Sequence, residues 1–283
     1  MKTVLFFSLL AVSSVAVAQP KLVNQAVIST TTNVIAPEED ELTNVQNGPG
    51  NGGGGMAMFR NFGDGETKST TYLKNNMVKT VMKSDMGRST ILRDNDKKLT
   101  TTLIEMMGNK TGFYITDAEQ AEMRKRMDSM MQARRATDSA QTRRSTPAAN
   151  NTEVVYTEQA KKIAGYNCKK AYVVTTRFLG KDSMAVWYTP DIKLNNISST
   201  GGMSGFGNMG GATGLDKIDG FVMQYEMNMP RGRKMTVEVT KVDTGKEVAD
   251  KEFEIPKDFE VKPMKEMQNM MGGGRGGMQI IRN

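Results

Sequence analysis

A mainly β fold, an antiparallel sheet with one long helix inserted into it, follows from three features of the sequence. Short β-favouring runs recur between Thr67 and Thr116, separated by turn formers such as Asn75-Asn76, Asp94-Asn95-Asp96 and Gly108-Asn109. Towards the C-terminus, apolar and polar residues alternate with period two, as a sheet with one buried face requires. Between these regions lies a single stretch with a helix start signal and methionines at helical spacing.

The chain has 283 residues, enough for one large domain or two small ones. Its first residues, Met1 to Pro20, carry an early Lys2, an apolar run from Val4 to Val12 and the small-x-small triplet Ala16-Val17-Ala18. That pattern predicts a signal peptide over residues 1–18, too short to span a membrane, and hence an exported protein, periplasmic or secreted. Gln19 stands where a lipoprotein would carry its anchoring cysteine. A single domain is expected over residues 21–265, with a flexible Met/Gly tail at 266–283.

Lys21 to Glu38 is rich in Val, Ile and Thr and predicts the first strand, ended by Pro37. Glycine-rich stretches, at 44–63 and 199–216, predict disordered loops, because glycine loses much backbone entropy when ordered. Runs at 67–72, 77–83, 89–93, 99–106 and 112–116 predict an antiparallel meander. Thr116-Asp-Ala-Glu119 has the form of a capping box and opens a helix over 117–144. Met123, Met127, Met130 and Met131 share one face of it, arginines solvate the rest, and its polar end is expected to fray. Phe221, Met223, Tyr225, Met227 and Met229 alternate with mostly polar neighbours, Pro230 to Arg233 supplies a turn, and Met235, Val237 and Val239 continue the pattern. This pair predicts a hairpin. Glu252 to Ile255 is expected to return as a further strand before Pro256.

Composition excludes several chemistries. There is no histidine, so Ser-His and Cys-His nucleophile pairs and imidazole metal ligands are absent. The formal charge is +7, with 38 basic and 31 acidic residues interspersed, a solvated mixed surface rather than a polyanion site. Gly48-Pro-Gly-Asn-Gly-Gly53 and Gly205-Phe-Gly-Asn-Met-Gly210 match a dinucleotide fingerprint literally, but no helix follows either, as pyrophosphate binding needs. The acidic run Glu38-Glu-Asp-Glu41 lacks calcium-loop spacing. Cys168, the only cysteine, has no histidine to activate it and shares a strand face with Tyr166, Tyr172 and Val174, so a buried structural role is expected. Neither an enzyme nor a cofactor is expected, and nucleic acid is not an expected partner.

Methionine is abundant, at 24 residues. Unbranched thioethers fill irregular apolar space and adapt to variable guests. They also ligate Cu(I), for which Met264, Met267, Met270 and Met271 are the candidates.

Four segments occur in a telling order: Lys162-Ile-Ala-Gly-Tyr-Asn-Cys-Lys-Lys170, Val186-Trp-Tyr-Thr189, the strand opening at Gly220, and Phe253-Glu-Ile-Pro256. From about Glu153 to Val261 the chain resembles the exported bacterial family called domain of unknown function 4412, common in the Bacteroidetes envelope. That family is similar to the superfamily of lipoprotein carriers of the LolA and LolB type. The resemblance implies a single antiparallel sheet curled into an incomplete (half) barrel, with a helix plugging its open side and acyl chains held in the concave face. It implies that Gly165 makes a tight turn, that Tyr166 and Cys168 face the interior, and that Trp187 lies on the neighbouring strand.

The expected function is binding of a hydrophobic ligand, such as a lipid or lipoprotein acyl chain, in a concave face lined by Phe221, Met223, Tyr225, Met227, Met235 and Val237. Peripheral contact with a membrane fits that role. Two alternatives stay open: a Met-rich Cu(I) binder, and a structural or interaction protein without a small ligand. The oligomeric state is not specified by the sequence.

Overall fold

A computed structural model of the protein describes residues 21–35, 65–84, 87–137, 151–177, 180–194, 214–229 and 232–267. The predicted signal peptide, most of both glycine loops and nearly all of the C-terminal tail lie outside these residues.

Fourteen strands and one long helix make up the described chain: β1 (Lys21–Val23), β2 (Gln25–Ile35), β3 (Gly65–Lys74), β4 (Met77–Ser84), β5 (Gly87–Asp94), β6 (Leu99–Met106), β7 (Asn109–Thr116), α1 (Asp117–Thr137), β8 (Asn151–Ile163), β9 (Tyr166–Arg177), β10 (Gly180–Thr189), β11 (Ile192–Leu194), β12 (Phe221–Asn228), β13 (Lys234–Asp243) and β14 (Glu260–Pro263). Twelve of the strands form one sheet in the order β14-β7-β6-β5-β4-β3-β2-β13-β12-β10-β9-β8. Its margins, β14 and β8, do not pair with each other, so the sheet is not closed. The fold is mainly β with one main, open sheet, and open sheets this wide twist and curl rather than lie flat. The meander β2 to β7 and the C-terminal strands are joined at the centre by the β2–β13 pairing.

The sheet is not wholly antiparallel, as the sequence led us to expect. β14 runs parallel to β7, and β1 and β11 form a small parallel sheet of their own. Both exceptions involve short strands at the ends of long connections, where no hairpin turn dictates direction. Glu252 to Ile255 is not a strand either. Asp250–Phe253 forms a 3-10 turn because its carboxylates are drawn to lysines of the meander, Asp250 to Lys74 at 2.7 Å and Glu252 to Lys79 at 3.3 Å. The segment from Asp250 to Pro263 thus straps the meander. Lys110 meets Asp258 at 2.6 Å, and Val261 pairs with Gly112. A Cβ on Gly112 would stand 2.8 Å from Leu103 and 3.0 Å from Val261, so only glycine lets β14 approach.

Register explains burial in the meander. Ala26, Ile28, Thr30 and Thr32 pair with Leu73, Thr71, Ser69 and Thr67, and Leu73, Thr71 and Ser69 pair in turn with Val78, Thr80 and Met82. These residues lie on one face, and all but Thr67 are buried. The hydroxyls of Thr71 and Thr80, 3.1 Å apart, satisfy each other there.

The capping box forms as expected: the Glu119 N–H donates to Thr116 Oγ1 at 3.3 Å, and the Thr116 N–H donates to Glu119 Oε2 at 3.0 Å. Arg93 fastens the first turn with a two-pronged pair to Asp117, at 2.5 and 2.8 Å. Beyond this anchor α1 does not plug the open side of the sheet. Its main contacts are with β7, and most of its described side chains are exposed, Met130 at 59%. The reason is compositional: without Leu, Ile or Phe it has no apolar stripe worth burying. Residues 138–144 of the expected helix lie outside the described residues.

Two apolar clusters hold the core. The first joins Ala26, Ile28, Leu73 and Val78 to Cys168, Ile192, Phe221 and Met223. The second gathers Ala171, Val173, Val186, Tyr188, Leu215, Ile218, Val222, Tyr225, Met235 and Val237.

Candidate functional site

The hairpin β12–β13 is the element on which the expected ligand-lining residues sit, and it carries a feature that alternation hides. Trp187 pairs with Gln224, but Tyr188 pairs with Val222, leaving Met223 as the extra residue of a β-bulge. The six expected lining residues therefore do not form one row. Phe221 and Met223 belong to the first cluster, whereas Tyr225, Met235 and Val237 belong to the second, with Met227 packed on its rim. Five of the six are buried, Tyr225 to 1% exposure, and Met227 is half-buried.

The second cluster is the better-defined site. Tyr225 pairs with Val186 on one side and Val237 on the other, and Met227 pairs with Met235. Partly buried Val34, Val154, Met184, Met227 and Met229 surround this centre. Over β9 lies the segment 214–219, whose Leu215 is fully buried. The sequence placed Leu215 and Asp216 in a glycine loop; they open a 3-10 turn, Leu215–Lys217. Gly214 makes that seat: its φ is +73°, and a Cβ would fall 2.4 Å from Thr152 and 3.0 Å from Val173. Lys217 Nζ donates to the Thr152 carbonyl at 2.6 Å, and the Asp219 N–H donates to the Tyr156 hydroxyl at 3.1 Å. The Tyr156 and Tyr188 rings meet edge to face, their centroids 5.5 Å apart.

Inside this shell the Tyr225 hydroxyl is buried and has no hydrogen-bond partner. Burial pushes its pKa well up, so it remains a protonated donor throughout the physiological range. An unmade buried hydrogen bond of this kind costs about 1–3 kcal/mol. Chemically, the cluster offers apolar surface, flexible methionines at its rim and one unspent O–H.

The Gly165 motif belongs to the first cluster. Ala164 and Gly165, at φ +47° and +87°, make the two-residue turn between β8 and β9. Cys168 is fully buried, its thiol 3.5 Å from the Tyr166 carbonyl, and burial pushes the thiol up to about 11. Tyr166 and Trp187 are partly buried against the same cluster. Of the copper candidates, Met270 and Met271 lie outside the described residues. Met264 lines a small cavity of about 100 Å³ beside α1, together with Ile115, Glu119, Met123, Arg126 and Lys265. Lys265 and Glu119 are ion-paired there at 3.5 Å. Met267 ends the described chain. Sequence reasoning missed the 214–219 cover, for which Leu215 and Ile218, apolar residues after a glycine run, were the available signal.

Among solved structures, the chain is similar to PNGF-II, solved in a C2 space group, at 13% identity and a TM-score of 0.39, covering 88% of this chain. The chain spans only 32% of the length of PNGF-II. It is also similar to a LolA superfamily protein from Nitrosomonas europaea at 7% identity and a TM-score of 0.31, covering 83% of this chain and 92% of that one. No curated protein matches it in sequence. Among family models, that described as "Domain of unknown function (DUF4412)" matches residues 53–259, and the chain belongs to this family.

Proposed function

We propose that the protein is a non-enzymatic binder of a hydrophobic group carrying one hydrogen-bond acceptor, such as the acyl chain of a lipid or lipoprotein. The observation that carries this reading is the buried, unpartnered hydroxyl of Tyr225 within a methionine-rimmed apolar cluster. A structural core would satisfy that hydroxyl or replace it with phenylalanine. A binding site has reason to keep it, because a guest's carbonyl or carboxylate accepts the bond that the empty protein lacks.

The guest's chain gains about 0.8 kcal/mol per methylene removed from water, so apolar burial supplies most of the affinity. The lining is already packed by its own side chains, so entry proceeds by displacement of Met184, Met227 and Met229, which are partly buried and unbranched. The absence of histidine from the chain supports binding rather than acid–base catalysis. The signal-peptide pattern of residues 1–18 places the activity in the periplasm or outside the cell.

Titration with a fluorescent fatty acid tests this. Saturable uptake is expected, displaced by unlabelled fatty acid, and weakened about fivefold in Tyr225→Phe, the worth of one hydrogen bond. No saturable uptake by the wild-type protein overturns it.

A further inference from the structure

The opposite face of the same strands carries a second feature. Trp187 is the only tryptophan in the chain. Two ammonium groups converge on its ring, Lys161 Nζ at 4.4 Å and Lys170 Nζ at 5.7 Å from the centroid. Lys170 also stands over Tyr172 at 5.0 Å, and Lys161 donates to Gln224 Oε1. No carboxylate lies within ion-pair distance of either lysine among the described residues. Register lines these groups up: Lys170, Trp187 and Gln224 in one cross-strand row, Val155, Tyr172 and Ala185 in the next. Val155 is 45% exposed, Lys161 is exposed, and Tyr172, Ala185 and Trp187 are half-buried. The solvent side of an antiparallel sheet ordinarily alternates to polar residues. Here it shows aromatic and aliphatic side chains crossed by uncompensated positive charge.

We infer that this outer face, centred on Trp187 with Lys161 and Lys170, docks on an anionic lipid bilayer. The chemistry selects that occupant. Amphipathic indole and phenol rings settle at headgroup depth, and long lysines lay their stems on apolar surface while their ammonium groups meet phosphate. A protein partner with a carboxylate patch would match the charge but would leave the Val155 and Tyr172 row without apolar contact. The sheet separates this face from the Tyr225 cluster, so docking does not depend on the acyl-binding reading and the two are tested apart.

Trp187 provides its own reporter. The full chain is mixed with phosphatidylcholine vesicles with and without phosphatidylglycerol, and tryptophan emission and co-sedimentation are followed. A blue shift and sedimentation only with the anionic vesicles are expected, both reversed by salt. Lys161→Gln with Lys170→Gln should lower the partition coefficient roughly thirtyfold, about fivefold per lysine. The control Lys68→Gln with Lys97→Gln removes equal charge from side chains that are 75% exposed elsewhere, and should leave partitioning nearly unchanged. Fatty-acid uptake should be the same in all three proteins. The inference is overturned if wild-type emission ignores anionic vesicles, if neutral vesicles bind equally, or if both double variants weaken binding alike. It is also overturned if inorganic phosphate alone shifts the emission, or if the free protein already dimerises through Trp187.

Discussion

Tyr225 illustrates how one atom separates a core from a site. Its ring is packed as any core aromatic would be, and only the hydroxyl is out of place. Tyr225→Phe should therefore stabilise the empty protein by about 1 kcal/mol, since it removes an unmade buried hydrogen bond. Chemical denaturation of the lipid-free protein measures this. Unchanged stability would mean that the hydroxyl already has a partner in solution. Cys168 behaves oppositely. Its thiol is buried and pushed up to about 11, so it should resist alkylation at neutral pH in the native state and react once the protein is unfolded. The sign of its pH dependence follows. The folded state holds the proton above the ordinary value of 9.0, so this stabilisation is complete below pH 9 and lost between about 9 and 11. The burial of Cys168 was legible in the sequence, from a strand pattern and a missing histidine. The orphaned hydroxyl was not, because it exists only once the distant 214–219 segment has closed over the cluster.

Among the elements, α1 depends on its first turn. Hydrogen bonding to Arg93 holds the Asp117 carboxyl below its ordinary value of 3.8. Its contribution is therefore present above that pH and lost as pH falls through the lowered value. Asp117→Asn should cost about 0.5–1 kcal/mol after solvent screening and lower helical circular dichroism, while the wild-type helix should fray at the acid end of a titration. A helix signal insensitive to both changes would show that the latch does not hold α1. The β14 strap depends on Gly112. Gly112→Ala should destabilise by about 1–3 kcal/mol, because neither Leu103 nor Val261 can withdraw freely, and thermal melting checks it. The capping box and the β12–β13 hairpin were legible because both are local patterns. The bulge at Met223 was not. Alternation from Phe221 to Met229 runs unbroken in the sequence, and the shift appears only in the pairing of β12 with β10. The turn at Asp250–Phe253 was misjudged for a similar reason: Phe253 and Ile255 favour a strand locally, but Lys74 and Lys79 capture the neighbouring carboxylates.

For the whole molecule, turn spacing foretold a mainly β chain, and the order of its strands followed only in part. Hairpin neighbours could be read along the meander. The central β2–β13 pairing joins distant parts of the chain, and the parallel contacts of β14 and β1 have no local signature. The result is one open sheet with two different faces in its C-terminal part, a methionine-rimmed interior around Tyr225 and an aromatic, basic exterior around Trp187. Division of labour between them, guest inside and bilayer outside, requires first that the interior accept a guest. Native mass spectrometry of the protein purified from its source without detergent tests this most directly. The account predicts an added mass that dissociates as a lipid or fatty acid, with lower occupancy in Tyr225→Phe. A protein that flies at its bare mass, and stays bare after incubation with fatty acid, would contradict it.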